Sequence, residues 1–255
     1  MNYTKWLIPL TLSSAFCANA APSKFEGNDS DGTIGIGIMA LTAATEYKGS
    51  DGEVYVLPFA FYQDQDFYIS GTEAGVHLWG SGDWWVDGTA SFRLQGFDED
   101  LSDFTNGMDK RKSSLDLGTS LNYYSSELGY LSFNFRHDIG DVHKGHEFTA
   151  NYAYPLSWGK LTLTPGIAIQ RQSSKLVDYY YGVKNSEVTV NREAYSGQAT
   201  FNYGLELELE YALSQSWKLF TSASITKLGD GIKDSPLVDN SGTNWATNIG
   251  LVYSF

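Results

Sequence analysis

The chain has 255 residues and a formal net charge of −13, with 42% hydrophobic and only 18% charged residues. Nucleic-acid binding requires a basic face, so an acidic chain of this kind excludes nucleic acid as a partner. Mean hydropathy is −0.27. Beyond Phe16 no apolar run approaches the ~18–20 residues of a membrane-spanning helix, which excludes a helical membrane protein. A barrel of alternating strands stays possible because its hydropathy averages out.

The N-terminus has the features of a secretory signal peptide. Lys5 precedes a short apolar stretch, and Ala18-Asn19-Ala20 forms an A-x-A cleavage site. We therefore expect a signal peptide over residues 1–20 and a periplasmic segment over residues 21–32. A lipoprotein signal through Cys17 is the weaker alternative. Cleavage after Ala20 removes the single cysteine, so the mature chain forms no disulfide.

Apolar residues alternate with polar or small residues along most of the mature chain. Between positions 200 and 211, every second residue is Phe, Tyr or Leu, and Glu206, Glu208 and Glu210 lie between them. Successive side chains of a strand point to opposite faces, so each such run predicts a strand with one apolar and one polar face. Similar runs occur at Trp84–Gln95, Leu115–Tyr123, Leu131–His137, Phe148–Leu156, Leu161–Gln170 and Trp245–Phe255.

The length of these runs predicts an all-β fold, an antiparallel transmembrane β-barrel over residues 33–255. Strands of soluble sheets have ~5–6 residues, whereas a strand that crosses the outer membrane needs about 9–11. Trp and Tyr lie near the ends of the runs, as in the aromatic girdles of such barrels. The alternative is a secreted β-sandwich or a lipocalin-like barrel, in which the apolar face points inward.

The connections alternate between short and long, which predicts twelve strands. Short turns of outer-membrane barrels face the periplasm, long loops face outside, and both termini are periplasmic. The short connections are Gln63–Asp66, Gly80–Asp83, Ser125–Leu128, Ser157–Lys160 and Ser214–Ser216; the long ones are Glu46–Glu53, Gly96–Lys112, Gly140–Lys144, Ser174–Arg192 and Asp230–Gly242. Five turns require six loops, and only Gly71-Thr72-Glu73 offers the sixth, between two unusually short strands. Ten strands is the fallback.

The polar faces of the predicted strands place charged side chains in the lumen. These lumen-facing residues are Asp87, Arg93, Asp116, Arg136, Glu147, Glu206, Glu208 and Glu210. The three glutamates lie about 6.6–6.8 Å apart along one strand and would repel one another, so we expect Arg93 and Arg136 to pair with them across the lumen. The lumen is then either a cation-favouring pore or a polar network that fills a narrow barrel.

Three polar segments of the predicted loops suggest ligands. The segment His137–His146 contains zinc-type donors but no H-E-x-x-H, so a solvated turn is the simpler interpretation, and we expect no metal, cofactor or catalytic residue. Asp98-Glu99-Asp100, followed by Asp103, suits a calcium ion bridging lipopolysaccharide, although hydration alone explains an exposed acidic loop. The basic block Asp109–Lys112 lies where headgroup phosphates are met, which predicts outer-membrane lipid and lipopolysaccharide as partners.

The last strand carries a specific ending. The alternation from Trp245 continues until the chain stops at Tyr253-Ser254-Phe255. This ending resembles the terminal signal that the barrel-assembly machinery recognises in Gram-negative outer-membrane proteins. Tyr253 and Phe255 are therefore the predicted assembly signal, and that machinery is a predicted partner.

Several loop segments resemble those of the MipA/OmpV family. Asp178-Tyr179-Tyr180-Tyr181-Gly182-Val183 and Asp234-Ser235-Pro236-Leu237-Val238 look like two characteristic segments of that family. The other matches follow the family's order from about Gly35 to Phe255, and they are Tyr47–Asp51, Leu57–Phe59, Gly107–Asp109, Arg111 with Ser113–Leu115, and His143 with Gly145.

This resemblance implies an outer-membrane barrel without established catalytic residues. The name-giving member is regarded as a scaffold that joins a lytic murein transglycosylase to a murein synthase, and other members are described as porin-like or adhesive antigens. We therefore expect a non-enzymatic scaffold for murein-remodelling enzymes, with a small-solute, cation-favouring channel as the alternative and a barrel enzyme centred on residues 137–146 as a third hypothesis. The family-motif loops either pack onto the barrel mouth or form a partner surface there.

The predicted assembly signal gives the first test. Deleting Phe255, or changing it to Asp, should leave the protein in the periplasm as a degraded species, because the terminal aromatic residue is lost. Cell fractionation and heat-modifiability on gels measure this. A normal, heat-modifiable barrel in the outer membrane would refute the assembly role.

Overall fold

The computed structural model describes residues 32–43, 47–49, 54–98, 101–239 and 241–255. The predicted signal peptide and the periplasmic segment as far as residue 31 lie outside the described residues, as do the acidic positions 99 and 100. None of the helices in the described part of the chain is long and apolar enough to cross a membrane.

The described chain forms one antiparallel sheet of thirteen strands. They are β1 (Thr33–Ala43), β2 (Val54–Gln63), β3 (Phe67–Ser70), β4 (Glu73–Ser81), β5 (Trp84–Arg93), β6 (Ser114–Ser125), β7 (Gly129–Asp138), β8 (His146–Ala153), β9 (Leu156–Trp158), β10 (Leu161–Gln172), β11 (Thr200–Ala212), β12 (Trp217–Lys227) and β13 (Thr243–Ser254). Helices α1 (Ser174–Tyr181) and α2 (Asp230–Lys233) and a 3-10 turn (Asn185–Glu187) lie in the connections.

The sheet closes into a barrel because its first and last strands pair. Strand β13 lies beside β1 in a register that runs from Gly35 opposite Ser254 to Ala43 opposite Ala246. Strands β8 and β9 both pair with β10 and are two parts of one wall strand, interrupted at Tyr154-Pro155. Proline has no N–H to give to the ladder, which accounts for the break. The wall is a closed twelve-stranded barrel with β9 as the extra strand, so the prediction of twelve strands is confirmed.

Short turns lie at one end of the barrel and long connections at the other, as the sequence predicts. We call these the turn end, where β1 begins and β13 ends, and the loop end. The predicted sixth loop exists as the two residues Gly71 and Thr72 between β3 and β4. Strand β3 is short, with 4 residues, but β4 has 9. The expectation of two unusually short strands is therefore right for β3 and wrong for β4.

The apolar faces of the strands point outward. On β11, Leu205 is 59% and Leu207 47% exposed, whereas the glutamates between them point into the barrel and line its cavity. This arrangement is the reverse of a soluble domain, in which the apolar face is buried, and it suits lipid outside and polar groups inside. The soluble sandwich and lipocalin-like alternatives are therefore wrong.

Aromatic rings pack in pairs around the turn end. Trp84 lies 4.8 Å from Tyr123, measured between ring centroids, and Trp217 lies 5.0 Å from Tyr253. Tyr253 also packs edge-on against Phe255, whose backbone N–H donates to the Ile34 carbonyl at 2.9 Å. The Phe255 side chain remains 73% exposed. The predicted assembly signal thus lies on the outer surface, beside the seam that closes the barrel.

The facing of β11 gives the second prediction. Leu207→Arg should destabilise the barrel by about 2–4 kcal/mol, because it places a charge on the lipid face near the middle of the strand. Glu208→Gln keeps the shape of a lumen side chain and should be mild. Unfolding in detergent or lipid measures both. If the glutamine variant is the more costly of the two, the assignment of the faces is wrong.

Candidate functional site

An apolar cluster closes the loop end of the barrel. We call it the outer cap. Its buried members come from the connections after β1, β5, β10 and β12 and are Tyr47, Phe97, Met108, Leu176, Val177, Tyr180, Tyr181, Val183, Leu228, Ile232, Leu237 and Val238. Among the described residues it is the principal apolar core, since the barrel interior itself is polar.

Helix α1 forms the centre of the outer cap. Its buried residues, Leu176, Val177, Tyr180 and Tyr181, recur at the spacing that places them on one helical face. Ser174–Arg192 was predicted only as a long connection, and the structure forms this helix within it. A segment of 8 residues is too short to be helical in isolation, so packing against the other loops stabilises it.

The three tyrosines of the first family motif each bind a different group. Lys112 donates its backbone N–H to the Tyr179 hydroxyl at 2.8 Å and accepts the Tyr180 hydroxyl at its carbonyl at 3.1 Å. Tyr181 accepts a hydrogen bond from the Gln95 amide at 2.8 Å. The motif therefore ties α1 to the connection between β5 and β6. The tyrosines pack onto the barrel mouth, which was one of the two alternatives left open for them.

The second family motif is joined directly to the first. The Ser235 hydroxyl donates to the Tyr181 carbonyl at 2.7 Å, and Asp234 is the exposed residue that ends α2. Asp178 accepts the Gly197 N–H at 2.8 Å. A Cβ at Gly182 would lie 2.2 Å from the Asp178 carbonyl oxygen, so this position requires glycine. These motif residues hold the outer cap together.

The segment after β1 completes the outer cap. Tyr47 forms a β-bridge with Val238, and the Lys48 N–H donates to the Leu237 carbonyl at 2.8 Å. The Tyr47 ring stacks on Tyr181 and meets Phe97 edge-on, with centroids 5.8 and 4.9 Å apart. Three segments that are far apart in sequence thus share one aromatic core.

A buried ion pair fixes the edge of the outer cap. Arg111 and Glu187 are each 3% exposed, and two parallel hydrogen bonds join them at 3.1 and 3.0 Å. Glu187 also accepts the backbone N–H groups of Asp109 at 3.0 Å and Lys184 at 2.9 Å. Arg111 was expected to meet lipid headgroups in a basic block. That expectation is wrong for Arg111, because its guanidinium is needed to pair a carboxylate that the fold buries.

Arg192 extends the same network through carbonyl groups. It donates to the Glu187 carbonyl from Nε at 2.8 Å and from Nη2 at 2.6 Å, and to the Asn106 carbonyl at 3.2 Å. The sequence analysis singled out neither Glu187 nor Arg192, since no local pattern distinguishes them from other loop charges. Arg111, the partner of Glu187, is 76 positions away in sequence, and Asn106, one partner of Arg192, is 86 positions away.

A layer of charged side chains lies inside the barrel, beneath the outer cap. Arg93 binds Asp116 at 2.8 Å and Glu147 at 3.1 Å, and Gln172 donates to Glu147 at 3.1 Å. Arg136 pairs with Glu73. Neither arginine pairs with the glutamates of β11, so that expectation is wrong. Arg93 on β5 meets carboxylates of β6 and β8, which are nearer to it along the sheet than β11 is.

The other lumen residue expected to be charged, Asp87, is also fully engaged. It binds His77 at 2.6 Å and accepts hydrogen bonds from the Trp85 indole at 3.2 Å and the Asn122 amide at 3.0 Å. This group and the Arg136–Glu73 pair both line a cavity inside the barrel. All eight predicted lumen residues face inward, and the structure separates them into three groups.

Asp116, Asp138 and His143 form a cluster with the composition of a metal site. Their donor atoms lie within 4.8 Å of one another, and all three residues are buried. However, His143 accepts the Gly145 N–H at Nδ1 at 3.0 Å and approaches Asp116 through Nε2 at 3.3 Å. Asp138 accepts backbone N–H groups at both oxygens, from Gly140, His143 and Lys144 at 2.7–2.8 Å. The donor set is already used, so the cluster does not fit a metal. The expected solvated turn is wrong for His143.

A cavity of about 210 Å³ lies inside the barrel and extends toward the turn end, and the Arg136–Glu73 pair and Asp87 form part of its wall. One wall carries Glu206, Glu208 and Glu210 from β11, and Gln63 and Ser254 line it close to the turns. Lys218 binds Glu210 at 3.1 Å. The outer cap and the Arg93–Asp116–Glu147 group lie between the cavity and the loop end. The arrangement can hold a small molecule.

The Arg111–Glu187 pair gives the third prediction. Glu187→Ala leaves a buried guanidinium and two backbone N–H groups without their acceptor, so it should destabilise the outer cap by about 3–5 kcal/mol. Lys184→Ala, which removes an exposed pair with Asp109, is the matched control and should cost at most about 1 kcal/mol. Proteolysis of residues 183–199 measures the opening. Equal cleavage of the two variants would contradict the prediction.

The same pair makes the outer cap sensitive to acid. Burial raises the pKa of Glu187, but hydrogen bonds from Arg111 and from two backbone N–H groups outweigh it and hold the pKa below its usual value. The carboxylate then stabilises the fold above the pKa of an unfolded glutamate, about 4.3, and this stabilisation is lost as pH falls through the lower folded pKa. Hydrogen exchange in residues 183–199 should rise in that window, and Glu187→Gln should remove this component of the change.

Comparison with known proteins identifies the family. A sequence model of the family described as MltA-interacting protein MipA matches residues 36–255. The MltA-interacting protein of Escherichia coli K12 is 30% identical over 249 residues, which are 96% of this chain and 98% of that protein. Outer membrane protein Omp26La of Vibrio anguillarum is 35% identical over 159 residues, and the match spans 62% of this chain and 61% of that protein.

Among solved structures, an outer membrane channel from Pseudomonas putida F1 resembles this barrel with a TM-score of 0.43 and 12% sequence identity, over 92% of this chain and 99% of that one. The family match covers nearly the whole barrel, and several relatives, Omp26La among them, are named outer membrane proteins. The protein is therefore an outer-membrane β-barrel, and the chain belongs to the MltA-interacting protein MipA family.

Proposed function

We propose that this protein is a closed, non-enzymatic barrel that serves as an outer-membrane scaffold for a murein transglycosylase and the synthase that works with it. The observation that carries the proposal is the 30% identity, over 96% of this chain, to a protein named for its interaction with MltA. The family motifs are used to build the outer cap, which accounts for them without a catalytic role.

The closed lumen supports a scaffold over a channel. The outer cap and the Arg93 group, in which Arg93 binds Asp116 and Glu147, lie between the loop end and the cavity. A solute would have to break several buried ion pairs to pass, and breaking one such pair commonly costs about 3–5 kcal/mol. The acidic wall of the cavity favours the channel alternative, because rings of carboxylates attract cations.

The turn end is the surface that a murein enzyme would meet, because turns and termini of outer-membrane barrels face the periplasm. The five turns are short, and three of them carry acidic residues. Asp64, Asp66, Asp83 and Glu127 face a single cation, Lys160, among the described turn residues. Asp64 holds its turn by accepting the N–H groups of Asp66 and Phe67, each at 2.8 Å. A rigid acidic rim suits a partner with a basic surface, since complementary charge steers association.

Capture of a purified murein transglycosylase on the immobilised, detergent-solubilised barrel gives the fourth prediction. Asp66→Lys/Glu127→Lys should weaken capture about tenfold, because it reverses the charge of the turn end. Asp103→Lys/Glu193→Lys makes the same change in charge at exposed positions of the loop end and should leave capture intact. Failure of the wild-type barrel to bind the enzyme would overturn the scaffold proposal.

A planar-bilayer recording separates the two functions. The wild-type barrel should show no steady conductance because its loop end is closed. Stable cation-selective conductance together with no capture would replace the scaffold with the channel. Capture without conductance supports the scaffold.

A further inference from the structure

Three phenylalanine rings lie against the barrel wall in the cavity. They belong to Phe59 and Phe61 on β2 and Phe220 on β12. The rings lie over glycines of the neighbouring strands: a Cβ at Gly37 would lie 2.5 Å from the Phe59 ring, and one at Gly250 would lie 2.3 Å from the Phe220 ring. Side chains at those glycines would push the rings away. The strands between β2 and β12 thus leave room for an aromatic panel, which we define as Phe59, Phe61 and Phe220.

The aromatic panel ends beside the acidic wall. Phe59 and Phe220 meet edge-on with centroids 5.5 Å apart, and Phe220 lies directly opposite Glu210 in the β11–β12 register. Phenyl faces attract cations because of their quadrupole, and the attraction strengthens where water is excluded. The aromatic panel and the carboxylates therefore both favour a cationic ligand, and they face it from two sides.

The cavity has an excess of negative charge. Among the described lining residues, the carboxylates are Glu73, Asp87, Glu206, Glu208 and Glu210, and the cationic side chains are Arg136 and Lys218. Arg136 pairs with Glu73, Lys218 with Glu210, and Asp87 with His77. Glu206 and Glu208 receive no hydrogen bond or ion pair from a described residue. Lys218 is near enough to act on Glu208 electrostatically but pairs with Glu210, so neither Glu206 nor Glu208 has an ion pair of its own among the described residues.

A buried acceptor in the same cavity is also unused. Asn151 is 4% exposed and lines the cavity. Its amide nitrogen donates to the Ser132 hydroxyl at 3.0 Å, while its Oδ1 atom has no hydrogen-bond partner. A buried acceptor without a donor is costly, so this atom is suited to receive an N–H from a bound molecule. The unpaired Oδ1 atom of Asn151 is thus a second feature of the cavity, separate from the glutamates of β11.

We propose that the cavity binds one small organic cation, a primary ammonium group on an aromatic or aliphatic body. The ammonium group would lie between Glu206 and Glu208, and the apolar body would lie on the aromatic panel. The cavity volume of about 210 Å³ suits a small molecule. The outer cap closes the loop end, so the ligand enters from the turn end. This site is separate from the proposed scaffold function.

Calorimetric titration of the whole detergent-solubilised protein with benzylammonium chloride at low salt tests the proposal. We expect saturable binding at one site. Benzyl alcohol, which has a similar shape but no charge, should bind at least tenfold more weakly. Glu206→Gln/Glu208→Gln should weaken benzylammonium binding at least tenfold, and Phe220→Leu should weaken it severalfold.

The matched control is Glu127→Gln/Glu193→Gln, which removes the same charge from exposed positions outside the cavity and should leave binding unchanged. Heat-modifiability on gels establishes that each variant is folded, so that a loss of binding is not a loss of the barrel. The proposal is overturned if the wild type shows no saturable binding, if benzyl alcohol binds as well as benzylammonium, or if the folded Glu206→Gln/Glu208→Gln variant retains wild-type affinity.

Discussion

Closure of the barrel by backbone hydrogen bonds is the constraint on which the rest of this structure depends. In a bilayer, an unpaired backbone N–H or carbonyl has no water to bind, so a sheet that faces lipid must have no open edge. The β1–β13 pairing satisfies this requirement and sets the number of strands. It also divides every strand into a lipid face and a lumen face, so the apolar side chains of a run such as 200–211 have no interior to fill.

The polar interior follows from that closure. Twelve strands enclose a lumen too wide for backbone contacts and too narrow for bulk water throughout, so charged side chains must find partners among themselves. Arg93 pairs with Asp116 and Glu147 near the loop end, whereas the Arg136–Glu73 pair and Asp87 with its donors lie in the wall of the cavity. The same cavity also contains the glutamates of β11 and the aromatic rings. The barrel interior is therefore closed at the loop end, and its cavity has room for a ligand.

In the described part of this protein, apolar side chains are buried mainly in the outer cap. The large apolar side chains of the strands face lipid, so the loop end holds the principal apolar core of the described chain. This explains why the segments that resemble the MipA/OmpV family are loop segments. Tyr180, Tyr181 and Leu237 pack there as buried core residues do in a soluble domain. A scaffold needs a rigid, closed body more than it needs a pore, and the outer cap provides that rigidity.

The sequence by itself determined the barrel, the twelve strands, the two faces and the inward-facing charges, because period-two alternation and the alternation of connection lengths are local properties of the chain. It did not determine the partners of those charges. Arg93 meets Asp116 and Glu147 rather than the β11 glutamates, and Arg111 meets Glu187 across 76 positions. Only strand register and loop packing decide such contacts. Helix α1 and the cavity also depend on the tertiary structure, because each exists only where segments distant in sequence are brought together.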